Sequence, residues 1–263
     1  MSEPAPRPLV LGASNVARDL GGVAAAALAA LPSPPEALWI AAGRGRSYGR
    51  ASWYWLRRLP SILDSDVWRR LEARGGPTHL LLTDVGNDLA YGVEPETVAA
   101  WIERCLARCG VEAGGSVRAT VVSLPTAALD ELPLAWLDVA RRLLFPRCGL
   151  DAAALLARAG ELDARLAALA AARGAERIVQ PASWFGLDPV HLRARARDEA
   201  WTRMLASWRV SAAPEGGGDP PSGRWRHRRV AGWPLPERFE LAGVTAGRRQ
   251  PAAHVAGVPL VFC

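Results

Sequence analysis

Five apolar runs of strand length recur along the chain, at residues 8–11, 37–42, 79–83, 117–124 and 177–180. Helix-like patterns fill the intervals, at residues 16–31, 67–74, 96–108, 134–144 and 151–173. The first of these stops at Pro32, the second at Gly75-Gly76 and the last at Gly174, residues that end helices. Strands that alternate with helices imply a parallel sheet covered on both faces. Right-handed crossovers then make an α/β fold, a three-layer α/β/α sandwich, the natural architecture. Loops that bind ligands in such sheets gather at the carboxyl ends of the strands.

The pattern fades after Val210. Residues 211–223, "SAAPEGGGDPPSG", have linker composition, and 224–263 carry short β-like stretches. The expected organisation is a catalytic-size domain over 1–210, a flexible linker over 211–223 and a small β-rich C-terminal extension over 224–263. The stretch "RWRHRRVAGW" within that extension is basic and aromatic, which suits an anion or a nucleic acid, although such an end more often packs on its own domain or pairs with a partner chain. The formal charge is +6, and all 32 basic residues are arginine. A chain with abundant Ala, Arg, Gly and Pro, without lysine and with two asparagines reflects coding bias, so no nucleic-acid partner is expected. The four cysteines, Cys105, Cys109, Cys148 and Cys263, have no zinc spacing and suit free thiols in a reducing compartment. "MSEPAPRP" lacks the features of a secretory signal, and the apolar stretch 23–31 is too short to span a bilayer. A cytoplasmic protein without a membrane segment is expected.

Four small constellations follow the runs. Gly12-Ala13-Ser14-Asn15 joins the first run to a helix. Ser14 there is either a helix cap or a nucleophile whose own N–H lies where an oxyanion would form. "AAGRGRSYGR", residues 41–50, follows the second run; its glycines let a backbone N–H approach a ligand, or simply turn the chain. Gly86-Asn87-Asp88 follows the third run. Asn87 offers an amide donor, or the three residues make an ordinary turn. Asn15 and Asn87 are the chain's two asparagines, and both come directly after runs of one expected sheet. After the last run, Asp188 and His191 stand three residues apart, so a carboxylate can hold one imidazole nitrogen and leave the other to accept a proton. Asp188 before Pro189 also suits a helix start.

Taken in order, Gly12-x-Ser14, the glycines after the second run, Gly86-Asn87-Asp88 (set against the family's Gly-x-Asn-Asp) and Asp188-x-x-His191 resemble the SGNH hydrolases, the GDSL-like esterases and lipases. The resemblance extends over about residues 8–205. It implies a five-stranded parallel, flavodoxin-like sheet and a serine hydrolase that works through an acyl-enzyme. Ser14 would be the nucleophile, His191 the base and then the acid, and Asp188 the group that orients His191. The oxyanion hole would comprise the Ser14 N–H, the Gly45 N–H and the Asn87 amide, with Gly43 as the other candidate glycine. The substrate would be a small-molecule or carbohydrate acyl ester, short-chain or O-acetyl, with no cofactor and no metal. Ala13 stands where the family usually has aspartate, which resembles the "GQSN" form of some carbohydrate esterases.

Two other functions use the same residues. An O-acyltransferase would pass the acyl group to a sugar or alcohol instead of water. A non-catalytic nucleotide- or ligand-binding domain would use "GRGRSYG", against which stands the absence of any lysine. Tyr48, Arg50, Trp53, Tyr54 and Trp55 are candidates to line a pocket or to pack on a helix.

Overall fold

The computed structural model describes residues 4–112, 116–209 and 235–263. The expected linker over 211–223 and the stretch 224–233 lie outside the described residues. β1 (Arg7–Leu11) leads into α1 (Ser14–Arg18), α2 (Leu20–Ala30) and β2 (Leu38–Ala41). β3 (Ser52–Tyr54) and β4 (Arg57–Leu59) form a hairpin ahead of α3 (Val67–Glu72) and β5 (Thr78–Leu82). α4 (Asn87–Ala90) and α5 (Pro95–Arg108) precede β6 (Arg118–Val122). Three helices follow, α6 (Thr126–Asp130), α7 (Leu134–Leu144) and α8 (Ala152–Arg173), and then β7 (Glu176–Ile178). After α9 (Arg197–Met204) come β8 (Arg238–Leu241), β9 (Val244–Gly247), β10 (Ala253–Val255) and β11 (Val258–Phe262).

The fold is α/β, with a mostly parallel central sheet in the order β10-β11-β2-β1-β5-β6-β7. The five strands from β2 to β7 in that order correspond to the five apolar runs. Their alternation sorts the core into two layers. Leu9 and Leu11 of β1, Trp39 of β2 and Leu80 and Leu82 of β5 pack on α3, α5 and α8. Val10, Ile40 and Leu81 point the other way, toward α2 and α9. All of these side chains are buried, and each stabilises the fold by roughly 1.5–3 kcal/mol of transfer free energy.

Two features exceed the sequence expectation. The central sheet has seven strands, because the C-terminal segment adds two. β11 lies parallel to β2, with Leu260 opposite Leu38 and Phe262 opposite Ile40, and β10 closes that edge antiparallel. Leu260 and Phe262 are core residues. β8 and β9 instead extend the β3–β4 hairpin into a four-stranded antiparallel sheet, tied by the Arg58–Glu240 ion pair and to α3 by Arg70–Glu237. The helix expected over 16–31 is divided at Asp19, whose backbone is not helical and whose carboxylate accepts a hydrogen bond from Trp201 Nε1 of α9 (2.8 Å).

Among the described residues no helix is long and apolar enough to cross a membrane. All four cysteines are free and buried.

Candidate active site

β2, β1 and β5 are neighbours, so the loops leaving their carboxyl ends meet. Tyr48, fully buried, binds them together: its hydroxyl donates to the Thr83 carbonyl (2.7 Å) and lies 3.1 Å from that of Leu11. Gly12 makes the turn from β1 into α1 possible. A Cβ there would lie 2.8 Å from Val16 Cγ2 and 2.9 Å from Thr83 Cγ2, so a larger residue would push α1 off the end of β5.

This packing presents Ser14 at the start of α1, half-buried. Ser14 Oγ lies 3.0 Å from His191 Nε2, and His191 Nδ1 lies 2.7 Å from Asp188 Oδ2. Three groups separated by up to 177 residues thus form one hydrogen-bonded row. Asp188 and His191 sit in a turn, in which the Val190 N–H donates to Asp188 Oδ1 (3.3 Å). Burial pushes the Asp188 carboxyl up. The hydrogen bond and charge of His191, the Val190 N–H and the Arg18 guanidinium 3.5 Å away outweigh it and hold the group below its ordinary value. Asp188 is therefore a carboxylate at neutral pH, as a group that orients an imidazole and stabilises its cation must be.

Asp84, which sequence reasoning passed over, supports this row. It follows β5 with φ +59°, a conformation that Asp tolerates better than most residues. Its Oδ2 accepts the N–H groups of Ala13 and Asn15, both at 2.9 Å. These are the unpartnered donors at a helix start, so α1 is capped from another strand and not by Asn15. Asn15 is used differently. Its Nδ2 donates to Asp84 Oδ1 (2.7 Å) and to the Val190 carbonyl (3.0 Å), and its Oδ1 accepts from the Leu192 N–H (2.9 Å). It thereby grips the residues on either side of His191. An aspartate at a strand end beside Gly-Asn-Asp was the available signal, but its partners lie 69–71 residues away.

Asn87 opens α4 and lines the same cavity as Ser14. Its Nδ2 is buried and has no hydrogen-bond partner among the described residues. Gly45 is in the loop after β2 with φ +68°, and its carbonyl accepts from the Tyr91 hydroxyl (2.8 Å), which ties that loop to the end of α4. Neither Gly45 nor Gly43 is on the cavity wall that Ser14 and Asn87 share. The aromatic and arginine candidates after the second run are likewise not on that wall. Tyr48 is a core residue, and Trp53 and Trp55 are exposed on the β3–β4 hairpin. No cluster of metal-ligating side chains is present among the described residues.

Asp88 is fully buried beside Asn87, and its Oδ2 accepts from the Tyr48 N–H (3.0 Å). Burial raises its pKa to about 6, against the lowering effects of Ser47, Tyr48 and Arg50. A carboxyl raised on folding binds its proton more tightly when folded, so its contribution is present below about pH 4 and is lost as the pH rises through about 6. Asp88→Asn removes this titration. Urea unfolding at pH 4 and pH 7 is expected to show the variant gaining on the wild type as pH rises, by about 2 kcal/mol. A stability difference that does not change with pH contradicts this.

No family model matches the chain, and no curated protein matches it in sequence. Solved structures similar to it include the carbohydrate acetylesterase Est24 from Sinorhizobium meliloti, at 14% identity and a TM-score of 0.49 over 76% of this chain and 96% of that one. A carbohydrate acetylesterase family member from Sinorhizobium meliloti is similar at 14% identity and a TM-score of 0.44, over 76% of this chain and 95% of that one. The native aryl esterase of M. smegmatis is similar at 16% identity and a TM-score of 0.46, over 76% of this chain and 94% of that one.

Proposed function

We propose that the chain is a carboxylic ester hydrolase that works through an acyl-enzyme on Ser14. The observation that carries this is the row Ser14 Oγ, His191 Nε2, His191 Nδ1 and Asp188 Oδ2, with separations of 3.0 and 2.7 Å. As Ser14 Oγ attacks the acyl carbon, its proton passes to His191 Nε2, and Asp188 stabilises the imidazolium. The carbonyl oxygen becomes an oxyanion. Asn87 Nδ2, which has no partner among the described residues, donates to it together with the Ser14 N–H, and the family resemblance adds the Gly45 N–H as a third donor. The ester C–O bond then breaks, and His191 returns its proton to the departing alkoxide. In the second half, His191 takes a proton from water, the hydroxide attacks the acyl carbon, and Ser14 leaves with the proton restored.

Aryl ester hydrolysis by the wild type and by Ser14→Ala tests this. Turnover by the wild type and its loss in the variant are expected; equal rates overturn the proposal.

Asn15 acts in this scheme as a positioning residue. Asn15→Ala breaks its bonds to Val190, Leu192 and Asp84. A displacement of about 1 Å at a reacting group costs up to roughly a hundredfold, so kcat is expected to fall about 10–100-fold with KM little changed. An unchanged kcat in a folded variant contradicts this role.

A further inference from the structure

We infer that the cavity beside Ser14 holds the acyl chain of the ester, and that the substrate is a medium-chain acyl ester rather than an acetate. This rests on the hydrolase proposal and extends it to the substrate. Ser14 and Asn87 line this cavity. Most of the rest of its wall is hydrocarbon from the helical segment between β6 and β7, including Leu124, Leu137, Ala140, Phe145 and Leu155. Its free space is about 110 Å³. One water-sized group needs roughly 10–15 Å³ of such space, so about eight fit, several more than an acetyl group supplies.

Apart from Ser14 and Asn87, the charged and amide side chains of the wall already make hydrogen bonds within the protein. Asp84 binds the start of α1. Arg141 is held by Asp138 (2.6 Å) and by the Cys148 carbonyl (2.9 Å). Gln180 and Ser123 bond to each other. Among the described residues, the wall beyond Ser14 and Asn87 therefore offers little to a charged acyl tail or to the several hydroxyls of a sugar. A hydrocarbon chain needs no such partner and gains by leaving water. The sugar or other alcohol would lie on the open side of Ser14.

The test is a series of p-nitrophenyl esters from acetyl to dodecanoyl, with the full chain, Ala140→Phe, Leu137→Ala and Ser14→Ala. Each buried methylene is expected to raise kcat/KM up to about fourfold, with the rise ending near eight carbons. Ala140→Phe fills the cavity and should lower the octanoyl-to-acetyl ratio at least about tenfold. Leu137→Ala enlarges it and should move the optimum to longer chains. Both readouts are ratios, so the fraction of folded enzyme cancels. A wild-type series that is flat or highest at acetyl overturns the inference, as do ratios that neither variant changes. Those outcomes leave the hydrolase proposal standing if Ser14→Ala is inactive. Equal hydrolysis by Ser14→Ala and wild type overturns both.

Discussion

Ser14→Ala and His191→Ala, made singly, are each expected to lower kcat for an aryl ester by about 10⁴–10⁶-fold, and the double variant no further. The reason is that the two side chains act as one unit. Without His191 Nε2 at 3.0 Å, the Ser14 hydroxyl keeps its proton and is a poor nucleophile; without Ser14, the imidazole has nothing to activate. The second substitution therefore removes nothing that the first has left. KM should change little, because neither group is needed to hold the acyl chain. Steady-state kinetics on the three variants checks this. Effects that multiply would mean that Ser14 and His191 act independently, which the mechanism does not allow.

Asn87→Ala is expected to lower kcat about 10²–10³-fold, again with little change in KM. Its stability should move in the opposite direction. A buried donor without a partner costs about 1–3 kcal/mol, and Asn87 Nδ2 is such a donor among the described residues. Its removal should leave the fold as stable as before, or more stable by about 1 kcal/mol. A structural asparagine would behave otherwise, since its loss would destabilise the protein. Kinetics and urea unfolding on one variant separate the two roles. A destabilised variant with normal kcat contradicts the oxyanion assignment.

Strands β1, β2, β5 and β6 of the parallel sheet could be read from the sequence because each is a compact apolar run that is almost wholly buried. β7 is a short edge strand in which Ile178 alone is buried while Glu176 is exposed, so its apolar signal is weaker and its bounds shift by a residue or two. The β3–β4 hairpin could not be read in this way. Its strands are three residues each, and β4 finds its other partner, β8, about 180 residues further on, with Arg57 opposite Leu241. β11 was visible as an apolar stretch, but nothing in "VPLVF" indicates that it pairs with β2.

The site divides similarly. Ser14, Asn87, Asp188 and His191 stood out through residue scarcity and their position after strands. Asp84 did not, because its function depends on a left-handed backbone and on donors from α1 that only the sheet order brings to it. Asn15 stood out in the same way, but its role did not: it links α1 to the His191 turn. The acyl cavity could not be foreseen, since its shape depends on how α6, α7 and α8 pack over the end of the sheet.

The most direct test of Ser14 as nucleophile is covalent labelling with a fluorophosphonate, followed by peptide mass spectrometry. The account predicts one phosphonyl group per chain on Ser14, with labelling slowed strongly in His191→Ala. Labelling at another residue, or none in a folded and active wild type, would contradict it.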